Sequence, residues 1–155
     1  MSYDADFIFN IPDRYKDPVD FTESLKSDLG LSFNERNEYG VWVGNHLGFL
    51  ISFDPNHGIE DDGDVPFESF ISKIGVCGYT GQSVLRVILL QELIHIAMAV
   101  CFKYRLEGVV VWECSQKIIH LGISTDEGYI TNLDTKRPIK EYSDLKDCMV
   151  IGVKY

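Results

Sequence analysis

Hydrophobic positions are densest between residues 83 and 106, SVLRVILLQELIHIAMAVCFKYRL, a stretch that contains neither Gly nor Pro. At 100° per residue, apolar side chains cover most of the helical circumference, and a narrow polar stripe contains Gln91, Glu92, His95 and Lys103. Charged and polar residues interrupt the run well inside its ends, which is costly in a bilayer. The pattern therefore predicts a long helix buried against a sheet rather than a membrane span.

Shorter apolar segments on both sides of this helix predict strands. The N-terminal segment 21–29 instead repeats Phe and Leu on one helical face, with Asp20 as its N-cap and Gly30 as its stop. A polar segment at 141–146 predicts a further short helix. The predicted strands are 3–11, two strands within 39–53 that turn at Gly44-Asn45-His46, and then 109–114, 117–124, 129–133 and 148–155.

Two segments before the long helix are harder to assign. Residues 31–38 lack a clear period and are expected to form a loop. Segment 66–74 is rich in Phe and Ile and fits a short helix better than a strand, although a strand stays open. The glycines at 75, 78 and 81 then predict turns that lead into the long helix.

The order of elements predicts one domain over residues 1–155. Hairpin-length connections favour an α+β fold with a mainly antiparallel sheet of about six or seven strands. This sheet packs on one long central helix, 83–106, together with a shorter N-terminal helix. The pattern does not determine the order of the strands in the sheet or the oligomeric state.

Charge is strongly segregated along the chain, whose formal net charge is -10. Residues 1–70 hold 15 Asp or Glu and 4 Lys or Arg, whereas residues 71–155 hold 9 acidic and 10 basic residues. An acidic surface repels nucleic acid and anionic lipid and attracts basic partners. The charge therefore predicts a basic protein partner, no nucleic acid and no membrane.

Two features suggest chemistry without completing a known motif. Glu92 and His95 have the E-x-x-H spacing of carboxylate-bridged metal sites, but a second such pair is missing from the sequence, and Gln91 stands where the HExxH zinc signature needs His. Cys77 lies in the glycine-rich segment that is predicted to precede the long helix, where a helix N-terminus would lower the pKa of a thiol. A small enzyme with a site around Glu92 and His95 or around Cys77 therefore stays open as an alternative.

The remaining sequence features predict no metal, no cofactor and no disulfide. Segment 54–64, DPNHGIEDDGD, fails the EF-hand pattern in each register, because Gly and Glu are missing at the required positions. The four cysteines form no C-x-x-C pair. Cys101 and Cys114 lie in apolar segments that are typical of buried, reduced thiols. With no basic, cleavable leader at the N-terminus, the expected location is the cytoplasm.

In size, charge and order of helices and strands, the chain resembles small acidic bacterial immunity proteins. The resemblance implies that it binds and neutralises a cognate toxin. A phage-type acidic inhibitor that mimics nucleic acid is the second alternative. Binding is expected where acidic charge meets apolar anchors, because charge steers the encounter and a desolvated aromatic holds the complex. The predicted partner-binding residues are Glu60, Asp61, Asp62, Asp64 and Phe67, with Trp42 and Phe49 in the preceding hairpin.

Overall fold

The structure is a computed structural model that describes residues 2–56, 70–79, 83–114, 117–124, 130–133 and 136–139. In these ranges the chain forms nine strands and two helices. The strands are β1 (Ser2–Phe9), β2 (Phe33–Arg36), β3 (Trp42–His46), β4 (Phe49–Asp54), β5 (Ser72–Tyr79), β6 (Gly108–Cys114), β7 (Lys117–Ile123), β8 (Ile130–Asn132) and β9 (Arg137–Ile139), and the helices are α1 (Pro18–Leu29) and α2 (Ser83–Tyr104).

All the described strands belong to one sheet, in the order β2-β3-β4-β5-β1-β6-β7-β8-β9, and each pair of neighbours is antiparallel. The α+β class and the antiparallel sheet are therefore confirmed. Three described strands were not predicted: β5, where a short helix and turns were expected, and β2 and β9. The strands β2 and β9 form the two edges of the sheet. Each is short, and neither carries enough alternating apolar residues to be recognised from sequence alone.

Both helices pack on the same face of the sheet. In β1, Ala5, Phe7 and Phe9 are fully buried and face the helices. Helix α2 crosses this face near β1, β5, β6 and β7, and it buries Leu93 and Ala97 completely. The long helix is thus confirmed, although it ends two residues before the predicted limit. A second helix shares the face with it, so α2 does not form the core alone.

Helix α1 begins earlier than the sequence pattern indicates. Asp17, not Asp20, is its N-cap, and the Asp17 carboxylate accepts a hydrogen bond of 2.9 Å from the backbone N–H of Val19. Pro18 occupies the first turn, where the missing N–H of proline costs nothing. Gly30 ends the helix in the left-handed conformation, at φ 67°, as predicted.

The hairpin in segment 39–53 turns at Leu47-Gly48, not at Gly44-Asn45-His46. Leu47 has φ 51° and Gly48 has φ 85°. Two consecutive positive φ values characterise the two-residue turns that match the twist of the flanking strands. Gly44 instead lies inside β3, where the missing side chain leaves room for the backbone carbonyl of Ser32.

The prediction of a helix over 66–74 is wrong for its C-terminal end, because strand β5 begins at Ser72. Ile74 and Val76 are buried towards the helices, so the apolar residues alternate as in a half-buried strand. Gly75 continues this strand and does not form the predicted turn. Residues 66–69 and the predicted elements at 141–146 and 148–155 lie outside the described residues.

Candidate functional site

The predicted partner-binding residues divide into two groups. Glu60, Asp61, Asp62, Asp64 and Phe67 lie outside the described part of the chain. Trp42 and Phe49 lie on the helix-bearing face of β3 and β4, where both are partly buried and pack against the core. The guanidinium of Arg36 lies 5.7 Å from the centroid of the Trp42 ring. Trp42 and Phe49 therefore have a packing role, and their part in partner binding stays a prediction.

The end of the β3–β4 hairpin exposes two leucines that the sequence analysis did not select. Leu47 is 72% exposed and Leu50 is 51% exposed. The backbone N–H of Gly48 donates a hydrogen bond of 3.1 Å to the side-chain carbonyl of Asn45, and this bond stabilises the turn. Gly44-Asn45 matches the residue preferences of such turns, whereas Leu-Gly does not, and this is why the sequence analysis placed the turn earlier.

Leucine is an unfavourable residue at the first position of this turn. A non-glycine residue with positive φ brings its Cβ close to backbone atoms, at a cost of about 1 kcal/mol. Asn and Asp tolerate this conformation better because their short polar side chains bond to the local backbone. Because the Leu47 side chain is exposed, its burial does not offset this conformational cost. The local stability of the hairpin therefore does not explain why Leu47 occupies this position.

The face of the sheet opposite the two described helices carries a shallow groove of about 320 Å³ across β3, β4, β5 and β1. Val43, Leu50 and Cys77 supply apolar and thiol groups to its lining. Its polar lining includes Asp6, Ser52 and Lys73, and the Lys73 ammonium lies 4.0 Å from one carboxylate oxygen of Asp6. The groove thus combines apolar side chains with a half-buried ion pair.

The absence of a side chain at Gly75 makes this groove possible. A Cβ at Gly75 would lie 2.8 Å from the Asp6 carboxylate and 3.1 Å from the Ser52 hydroxyl. A side chain at position 75 would therefore make the end of the Asp6 side chain move and would crowd the Ser52 hydroxyl. The glycine pattern in the sequence predicted a turn here, whereas Gly75 lies inside β5 with the Asp6 and Ser52 side chains close to it.

Glu92 brings two histidines together on the helix side of the sheet. One of its carboxylate oxygens lies 3.6 Å from His46 Nε2, and the other lies 3.9 Å from His95 Nδ1. The contact with His46 ties α2 to the end of β3. Such partly exposed pairs contribute at most about 1 kcal/mol when charged. Among the described residues, no group of three or more His, Cys, Asp or Glu side chains is arranged to hold a metal ion.

Cys77 does not join Glu92 and His95 in one site. It lies inside β5, opposite Leu50, and it lines the groove on the face away from α2. Because Cys77 lies inside a strand, it is not at the N-terminus of a helix, which was expected to activate its thiol. A histidine on the same face of the sheet, His120 in β7, does not lie beside Cys77, because three strand spacings, roughly 14 Å, separate β7 from β5. The two alternative centres of the enzyme hypothesis, Cys77 and the pair of Glu92 and His95, therefore lie on opposite sides of the sheet.

Much of the acidic charge of the N-terminal half is exposed around α1 and β2. Residues 13–38 contain seven acidic and four basic residues. Only one ion pair is recorded among these described residues, between Lys26 and Glu23 at 3.4 Å. The exposed carboxylates belong to Asp13, Asp17, Asp20, Glu23, Asp28, Glu35 and Glu38. The side of the molecule that carries α1 and β2 is therefore net acidic.

Comparison with protein-family models, curated proteins and solved structures found no match to this chain. Neither of the two helices in the described part of the chain combines the length and the apolar character needed to cross a membrane.

Proposed function

We propose that this protein is an acidic protein-binding module that acts as an immunity protein. Its partner is a basic protein, a bacterial toxin domain that the complex neutralises, and the site of action is the bacterial cytoplasm. The observation that carries the proposal is the acidic charge of residues 1–70, which includes segment 54–64 and the exposed carboxylates around α1 and β2.

The physical basis is electrostatic steering of association. A net charge of -10 on 155 residues creates a negative field that extends over about a Debye length, roughly 8–10 Å at physiological salt. This field raises the association rate with a basic protein and lowers it with acidic competitors.

The test compares two variants that each remove four negative charges. The first neutralises the acidic segment through Glu60→Gln, Asp61→Asn, Asp62→Asn and Asp64→Asn. The second neutralises Asp13, Asp20, Glu23 and Asp28 in the same way and spares the N-cap Asp17. Both variants change the net charge from -10 to -6. Because the two variants have the same net charge, a difference between their association rates shows where on the protein the charge acts.

The partner is isolated by affinity capture and purified, and its association rate is then measured against ionic strength. We expect the first variant to associate more slowly than the parent and with a flatter salt dependence. The melting temperature of each variant is measured as a control for folding. The α1 variant is expected to show a smaller effect. Identical rates and salt slopes for the parent and both variants would contradict a steering role for the acidic half.

A further inference from the structure

We infer that the outer face of α2, the face that points away from the sheet, is a self-association surface. A second copy of this chain packs its own α2 there in the antiparallel direction. We call this surface the α2 stripe and define it by Ile88, His95 and Phe102. The inference goes beyond the proposed function and does not depend on it.

The α2 stripe is a line of exposed side chains along the helix. Ile88, His95 and Phe102 follow one another at intervals of seven residues, so at 100° per residue their side chains point within about 40° of one another. Ile88 is 40% exposed, Phe102 is 50% exposed, and the His95 side chain is 58% exposed. The sheet and α1 therefore leave this line of α2 open to solvent.

Helix α2 is apolar around most of its circumference, although only one of its sides packs on the sheet. That side buries Leu90, Leu93 and Ala97. The outer side of such a helix normally carries charged and polar residues, and a helix that is apolar all round is normally buried. Single exposed apolar residues are common, but Ile88 and Phe102 continue the apolar surface of one helix onto its solvent side. This continuity indicates a surface that another molecule covers.

The order of residues along the α2 stripe favours a second copy as that molecule. A two-fold interface requires a surface that complements itself. When two α2 helices pack antiparallel with the axis at His95, Ile88 of each copy meets Phe102 of the other. In a parallel pair, Glu92 would instead face Glu92 of the second copy, whereas the antiparallel pair places Glu92 opposite Met98. The antiparallel direction also opposes the two helix dipoles favourably.

Charge separates a second copy from a basic partner at this surface. Among the described side chains on the outer face of α2, Glu92 is the acidic residue and Lys103 is the basic one. This face is therefore close to neutral, unlike the side of the molecule that carries α1 and β2. A neutral apolar face offers little attraction to a basic protein, and an identical face meets it without local repulsion between like charges.

The contact between the two stripes is small, so the dimer is expected to be weak. From Ile88 to Phe102 the stripe extends along about 21 Å of helix. A contact confined to one pair of helices buries less than the roughly 800 Å² per partner of a standard interface. Each copy also has a net charge of -10, so the two molecules repel each other at long range. We expect a dissociation constant on the order of 100 µM, and a tighter dimer as salt screens the repulsion.

The first test is sedimentation equilibrium of the full chain at concentrations below and above this value. It compares the parent with the two stripe variants Ile88→Gln and Phe102→Gln and with the control Ile71→Gln. Ile71 is 48% exposed but precedes β5, so the control makes the same substitution outside α2. Each stripe variant should weaken the dimer by about tenfold, because the two-fold axis removes every lost apolar contact twice, whereas Ile71→Gln should not.

The second test determines the direction of packing by disulfide cross-linking. The parent is its control, because the chain has four cysteines of its own. His95→Cys should cross-link to itself, since position 95 lies at the axis. Ile88→Cys and Phe102→Cys should cross-link when they are mixed, and neither should cross-link to itself. A parallel pair would give the reverse pattern for these last two variants.

Four outcomes would overturn the inference. They are a parent that stays monomeric at all concentrations, equal dimerisation of the stripe and control variants, the cross-linking pattern of a parallel pair, and a dimer that weakens as salt is added. The proposed function fails independently of this inference. Association with a basic partner should weaken with salt, whereas self-association through the α2 stripe should tighten, so the two salt dependences distinguish the two failures.

Discussion

At the scale of single residues, Leu47 shows a conflict between stability and surface composition. Its positive φ and its exposure both favour a polar residue at this turn position. We therefore expect Leu47→Asn to increase the free energy of unfolding by roughly 0.5–1 kcal/mol. Urea unfolding of the parent and the variant measures this change, with Tyr39→Thr as the control for lost apolar surface. An unchanged or lower stability would show that Leu47 makes a stabilising contact.

Cys101 links stability to alkaline pH. Burial, and to a smaller extent the charge of Glu107, raises the pKa of this thiol from 9.0 to about 12. The folded state therefore binds the proton more tightly than the unfolded state does. The resulting stabilisation is fully present below about pH 9 and is lost as the pH rises towards 12.

We expect the free energy of unfolding to fall between pH 9 and pH 11, and to fall less steeply in Cys101→Ala. Urea unfolding across this pH series checks the difference in slope. Tyr104, whose pKa is also raised by burial, adds a decrease above pH 10 in both proteins. Parallel curves for the parent and Cys101→Ala would contradict the assignment to this thiol.

At the scale of elements, α2 contributes a large part of the core. Leu93 is fully buried at its centre, on the face that packs against the sheet. Leu93→Asp would place an unpaired charge there, at a cost of several kcal/mol against a total stability of roughly 5–15 kcal/mol. We expect this variant to lose cooperative unfolding in a thermal melt followed by circular dichroism.

The control for this experiment lies on the same helix. Phe102 is 50% exposed on the outer face of α2, so Phe102→Asp introduces the same charge without burying it. This variant should melt cooperatively near the temperature of the parent. If Leu93→Asp also melted near the parent temperature, α2 would not be the buried element that its contacts indicate.

At the scale of the whole molecule, the fold is expected to depend on the core alone. The core joins both described helices to one sheet face through a continuous cluster of buried apolar residues. Cys101 is a buried free thiol in the described part of the chain. We therefore expect EDTA and a reductant, added separately, to leave the melting temperature unchanged. A decrease of several degrees with either reagent would reveal a stabilising metal or disulfide.

The amino-acid sequence by itself determined the elements whose pattern is long and repeated. The apolar run of α2, the capping glycine at Gly30 and the α+β class were all predictable, because burial of one helical or strand face imposes a strict period. The segregation of charge was also evident from sequence alone. Shorter signals failed: β2 and β9 are too short to show a period, and Gly44-Asn45 resembled a better turn than Leu47-Gly48.

Only the tertiary structure decided how distant residues share a surface. Gly75 belongs to a strand because it pairs with Asp6 on β1 and with Ser52 on β4, a long-range pairing that no local pattern encodes. The sheet places Cys77 on one face and Glu92 on the other, and it brings Glu92 to His46 across 46 positions of sequence. These outcomes follow from strand order and register, which depend on long-range pairing and not on local preference.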